Sequence, residues 1–353
     1  MKYLDRFKSA LYQKDVDRPP VAIPTNTGIV DLMKSSNSFW PDAQKKSEDM
    51  TELALAAHKI AGIESVTIPF DMYVEVEALG AKLEGWSLDK QPSPLPFIDS
   101  PEDLMNIKIP DPLTDCRLPV VLESTKILRK KVGNDLPIIV TVASPFEIVS
   151  NIWNLNTLVL YLEYDKKPLF DLLTRTTSFL SEYATLLFEA GADAISIIDG
   201  NSQNLFGVEM DIEYDFDGNY EYAFDGVEPG AENYEEFSGV FIEKFVNSIK
   251  GDTILHVCGD TTPVLDHMAE TGVNGLSVDN VNIKEAKKIV GNEASIIGNI
   301  SVNSLFSDNP SEIITKSRKA LADGVDILAP GCNLIPTTSV GNLRALTKAA
   351  LEL

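Results

Sequence analysis

Few side chains in this 353-residue chain can hold a soft metal or act through sulfur. The cysteines are Cys116, Cys258 and Cys332, and the histidines are His58, His256 and His267. A small odd number of cysteines in so long a chain is not a disulfide framework. In a reducing compartment, cysteines that are not core filler serve catalysis or metal binding. Two of them fall into a pattern. In HVCG, His256–Gly259, an imidazole and a thiol stand at i and i+2, and alternate residues of a strand point to one face. Cys332 closes a second strand-like segment, DILAPGC. One imidazole and two thiolates suit a soft, tetrahedral ion such as zinc. Three protein ligands leave a fourth position for substrate, as in catalytic sites. A substrate thiol entering that position would be held as thiolate at neutral pH. Thiolate is the nucleophile for SN2-like attack on an activated methyl group. The competing reading is buried cysteine with no metal, and H-x-C by itself does not separate the two.

Other polar residues end strand-like segments and have two readings each. Asp71, in IPFDMYVE, could orient substrate or cap a helix. Asp199, in IIDGN, is a substrate contact or a turn former. Glu147, in ASPFEIVS, could supply a fourth metal ligand when substrate is absent, or be a first-turn acid favoured by the helix dipole. Asn299, in IIGNIS, could bond substrate or simply turn the chain. His267 and His58 lie on helical segments and read as surface or satisfied core; Cys116 reads as a free thiol. No phosphate-binding glycine motif appears in the strand–helix context it needs.

The elements that must position these residues recur along the chain. Eight short runs rich in Val and Ile read as buried parallel strands: 21–25, 65–70, 137–144, 194–199, 253–259, 275–280, 294–301 and 326–332. Helical patterns separate them, as in Asp49–Ala61 and Leu169–Ala190. Several end at a glycine suited to a left-handed cap just before the next strand: Gly62, Gly191, Gly272 and Gly324. Eight such units predict a (β/α)8 TIM barrel in a single domain over residues 1–353, with an N-terminal extension; an open doubly wound sheet is the alternative. The ends of the fifth and eighth strands then meet at the barrel mouth, where barrel active sites lie. Two stretches break the rhythm. The Pro-rich residues 82–117 read as an excursion between barrel units. The acidic, aromatic residues 201–233 read as a loop or hairpin inserted after the fourth strand, at the mouth.

With 53 acidic against 30 basic residues the formal net charge is −23. Such a surface repels phosphate backbones, which argues against nucleic acid as a partner. No apolar run approaches the length of a membrane span, and the N-terminus lacks a secretory pattern, so the expected location is the cytoplasm.

The segments DRPPVAIPTNTGIVDLM, GIESVTIPFDMYVEVEALG, LHVCGDTTPVLDHMAETGVNGLSVD, IIGNIS and GVDILAPGCNLIPTTSVGNLRAL give the chain its resemblance to the uroporphyrinogen decarboxylase-like superfamily, in particular its methylcobamide:coenzyme M methyltransferase branch. The resemblance implies that His256, Cys258 and Cys332 hold zinc. It further implies that the acceptor is the thiol of coenzyme M and that the methyl donor is a methylated corrinoid on a partner protein, the chemistry of methanogenesis. The decarboxylase branch fits less well: its arginine-rich N-terminal substrate motif is replaced by IPTNTGIVDLM. Two further readings remain. One is a corrinoid-protein methyltransferase that demethylates an amine, ether or methanol; the other is a barrel that binds a corrinoid or tetrapyrrole without turnover.

Overall fold

A computed structural model describes residues 1–98, 100–153, 158, 166–206 and 230–352, apart from the side chains of residues 101 and 102. Seven parallel strands curl side by side: β1 (Val66–Ile68), β4 (Ile138–Ala143), β5 (Ala194–Ile198), β6 (Asp252–His256), β7 (Gly275–Ser277), β8 (Ser295–Ile300) and β9 (Ile327–Pro330). The gap between β9 and β1 is closed by residues 20–23. Val21 bridges Leu328 in parallel, Leu328 N–H donates to Pro20 at 2.9 Å, and Glu64 N–H donates to Val21 at 2.7 Å. This is the eight-stranded barrel that the sequence predicts, with its first strand reduced to a bridge. Pro19, Pro20 and Pro24 explain the reduction, since each lacks the N–H that a ladder needs.

Parity along the strands separates two cores. Ala22, Ile139, Ala194, Ile254, Ile297, Ile327 and Ala329 cluster together, while their neighbours Val21, Ile138, Ile195, Leu255, Ile296 and Leu328 join the larger layer beneath the helices. The first set is therefore the barrel interior. Phe7, Ala10 and Leu11 pack against it. They project from the helix Tyr3–Leu11, the predicted N-terminal extension, which plugs the N-terminal end of the barrel.

Helices cover the outside. Ser47–Ala61 and Lys167–Ala190 match the predicted pair to within two residues at their starts. Gly62, Gly191, Gly272 and Gly324 all have positive φ, as left-handed caps require. Residues 82–117 contain a two-stranded antiparallel ladder, β2 (Lys82–Glu84) with β3 (Ser93–Leu95), and the helix Pro101–Asn106. Of the stretch 201–233, residues 207–229 lie outside the described residues. Its two ends both meet the C-terminal side of β5, where Gly230 N–H bonds Leu205 O at 3.1 Å. Among the described residues no helix is long and apolar enough to cross a membrane.

Candidate metal centre

Strand register builds the site. Ile254 faces the barrel interior, so His256, two residues on, points the same way. The register sets His256 opposite Ser277 of β7. Its Nδ1 lies 3.1 Å from both the carbonyl oxygen and the hydroxyl of Ser277. If Nδ1–H donates to that carbonyl, Nε2 keeps its lone pair for a metal. Nε2 lies 3.4 Å from Cys258 Sγ, and Cys258 Sγ lies 3.2 Å from Cys332 Sγ. The three ligand atoms all fall within 4.8 Å of one another, and they form the one such His/Cys/Asp/Glu group among the described residues.

Two thiols this close cannot both ionise without a cation between them. Cys332 is held far below the usual thiol range by the Cys258 S–H, with His256 adding to the effect despite burial. Cys258 is pushed far above it, first by Cys332 and then by burial. Burial works against a charge on His256, yet the neighbouring Cys332 raises its pKa overall. A divalent cation would remove this conflict, and the soft donor set fits zinc.

Carboxylates ring the group. Glu147 is fully enclosed; burial pushes its pKa up to about 7, against the opposing pull of the Asn201 N–H. Its Oε2 accepts from Asn201 N at 2.6 Å and its Oε1 from Asn151 Nδ2 at 2.9 Å. A methyl group on Gly200 would sit 3.6 Å from Cys258 Sγ and 3.7 Å from Glu147 Oε2, so both atoms border the space that this glycine leaves open. Asp199 lies deeper. Its carboxylate accepts from Ser144 and, at 2.7 Å, from Ser238, while its own N–H donates to His256 O at 2.9 Å. Burial raises its pKa despite these serines. Asp71 is taken up by Arg117, whose Nη1 and Nη2 lie 2.6 and 3.1 Å from its two oxygens, and by the Tyr73 N–H at 2.9 Å. Asn299 donates to the carbonyls of Asp279 and Val281 at 3.1 and 2.7 Å. Glu147 therefore flanks the ligand group. Asp71 and Asp199 already have protein partners, and Asn299 holds the chain that follows β7. His58 bonds Ile63 O, His267 stands beside Glu235 and Glu270, and Cys116 is exposed.

Three residues at this end were not singled out from the sequence. Arg117 is the cation under Asp71. Ser277 orients His256. Asp279 is charge-coupled to Cys332 and His256, with its pKa raised by burial to about 6. The last two stand at i and i+2 in GLSVDN, the same spacing as His256 and Cys258. Two polar residues on the inward parity of a buried strand were the available signal.

A family model for Uroporphyrinogen decarboxylase (URO-D) matches residues 2–214 and 228–353. The methylcobamide:CoM methyltransferase MtaA of Methanosarcina barkeri is 33% identical over 98% of this chain and 97% of its own. MtbA of Methanosarcina acetivorans, a second methylcobamide:CoM methyltransferase, is 35% identical over 98% and 96%. Among solved structures, a methyltransferase from Methanosarcina mazei superposes with a TM-score of 0.89 at 32% identity, covering 100% of this chain and 99% of the other. The chain belongs to the uroporphyrinogen decarboxylase family, in its methylcobamide:coenzyme M methyltransferase branch.

Proposed function

We propose that this chain is a zinc-dependent methyltransferase of the cytoplasm, moving a methyl group from a corrinoid on a partner protein to a small thiol, with coenzyme M the first candidate. The observation that carries the reading is the convergence of His256 Nε2, Cys258 Sγ and Cys332 Sγ within 4.8 Å at the mouth of a barrel, in a chain whose relatives are methylcobamide:CoM methyltransferases. A zinc ion bound there would lower the pKa of an incoming thiol and hold it as thiolate.

The remaining chemistry falls to the chain. A carbon–sulfur bond forms as the carbon–cobalt bond breaks, the electron pair of the latter stays with the corrinoid, and the thiol proton must leave. Glu147, with a pKa of about 7, stands across Gly200 from Cys258 and can hold that proton at neutral pH. Ser277 fixes the His256 ring. Asp199 ties the strand bearing His256 to Ser144, which caps the helix Pro145–Ile152 carrying Glu147.

Methylcobalamin and a panel of thiols, given to the purified protein, test the reading. Coenzyme M is expected to be methylated fastest, and zinc-edge X-ray absorption should gain one sulfur neighbour when thiol is added. Protein that contains no zinc and methylates no thiol overturns it. Methylation of cob(I)alamin by an amine, ether or methanol, with no thiol turnover, transfers the assignment to demethylation of a small donor.

A further inference from the structure

The strand β7 and the turn that follows it supply none of the three candidate ligands, yet they touch the surroundings of all of them. Ser277 holds His256. Two residues on, Asp279 reaches both sulfur-bearing loops. Its Oδ2 accepts from the N–H of Gly259, the residue after Cys258, at 3.2 Å. The next residue, Asn280, returns a bond from its N–H to Gly259 O at 3.1 Å. On the other side Asp279 packs against Gly331, the residue before Cys332. Any side chain at Gly331 would run into the Asp279 carboxylate and approach its Cα to 3.2 Å. Asn299 in turn bonds the Asp279 carbonyl at 3.1 Å. The carboxylate is thus wedged between the two loops, while the compact ligand group comprises His256, Cys258 and Cys332 without it.

We propose that Asp279 is a positioning residue that sets the separation of Cys258 from Cys332, and through it the affinity for metal, without being a ligand. The proposal rests on the metal-site reading above. Physically, the two thiols come from loops 74 residues apart in sequence, and β9 pairs with β8, not with β6. Their loops need a common fixture, and Asp279 is a short, rigid one that meets both. Outer contacts of this kind commonly change metal affinity by about 10–100-fold when removed.

The test is zinc affinity by chelator competition on the full chain, with zinc-edge X-ray absorption of each loaded protein. Asp279→Ala is expected to weaken zinc by about 10–100-fold. Asp279→Asn keeps an oxygen to accept the Gly259 N–H and should recover most of the loss. Gly331→Ala, which pushes the carboxylate aside without removing it, should weaken zinc as well. In all three the absorption should show the same two protein sulfurs and one imidazole. Wild-type affinity in Asp279→Ala overturns the proposal. So does a weak Asp279→Asn whose zinc has lost an oxygen neighbour, which would make Asp279 a ligand. If the wild-type chain holds no zinc, the metal-site reading falls and takes this one with it; zinc held equally by wild type and Asp279→Ala removes this one alone.

Discussion

Along β6 the inward positions climb from Ile254 to His256 and then to Cys258; along β9 they climb from Ile327 through Ala329 to Gly331, beside Cys332. The lower end of this interior is hydrocarbon, closed by Phe7 and Leu11 of the plug helix. The upper end holds the imidazole, two sulfurs, the buried carboxyls of Glu147 and Asp199, and the half-buried carboxyl of Asp279. One set of strands thus carries a stabilising end and a destabilised end, a few residues apart. Removing apolar atoms from the first should cost folding energy and spare the chemistry. Removing polar atoms from the second should spare the fold and cost the chemistry.

The largest contrast comes from the sulfurs. Cys258→Ala and Cys332→Ala are each expected to abolish methyl transfer and to lower zinc from about one per chain to background, with melting temperature of the zinc-free protein close to wild type. Metal analysis alongside the methylcobalamin assay checks this, and either variant retaining both zinc and activity would break the contrast. At the other end, Phe7→Ala should destabilise by about 3–5 kcal/mol in denaturant unfolding while leaving zinc affinity unchanged. A loss of zinc there would mean that the two ends are mechanically coupled.

A smaller effect refines the comparison on the upper side. Glu75 lies in the helix Val74–Ala78, which follows β1; it is buried, and its Oε1 has no hydrogen-bond partner. Burial raises its pKa from 4.5 to about 8. The folded state then binds a proton that the unfolded chain releases between those values, so this residue lowers stability as pH rises from 4.5 to 8. Glu75→Gln removes the titration. Thermal melts should show a flatter pH profile for the variant, little difference at pH near 4, and a gain over wild type at pH near 8.

Much of this was legible in the sequence. The Val/Ile runs and the glycines closing the helices located the seven strands of the sheet and the segment that bridges β9 to β1, because buried parallel strands and left-handed caps leave strong local marks; that the first run would shrink to a bridge was not read. The H-x-C spacing gave a shared face, because strand periodicity is local too. What could not be read is which side chain answers which. Asp71 is matched by Arg117, 46 residues away, and Asp199 by Ser238, 39 residues away. Such partners are chosen by tertiary packing and leave no trace in spacing. Asp279 belongs to the same class: its role exists only because β7 lies beside β6 and within reach of the loop after β9.

The plug helix also bears on the order of assembly during synthesis. Phe7 and Leu11 are made early, yet they rest on Ile139, Ala194, Ile254, Ile297 and Ile327, spread over most of the chain. The bridge from Val21 to Leu328 closes the ring over the same span. Contacts of such sequence separation form slowly, and a nascent chain lacking β9 has neither a closed ring nor Cys332. The helix and the first strand must therefore wait, exposed, while the ribosome delivers about three hundred further residues. Any metal that needs all three candidate ligands can be captured only after Cys332 has been made.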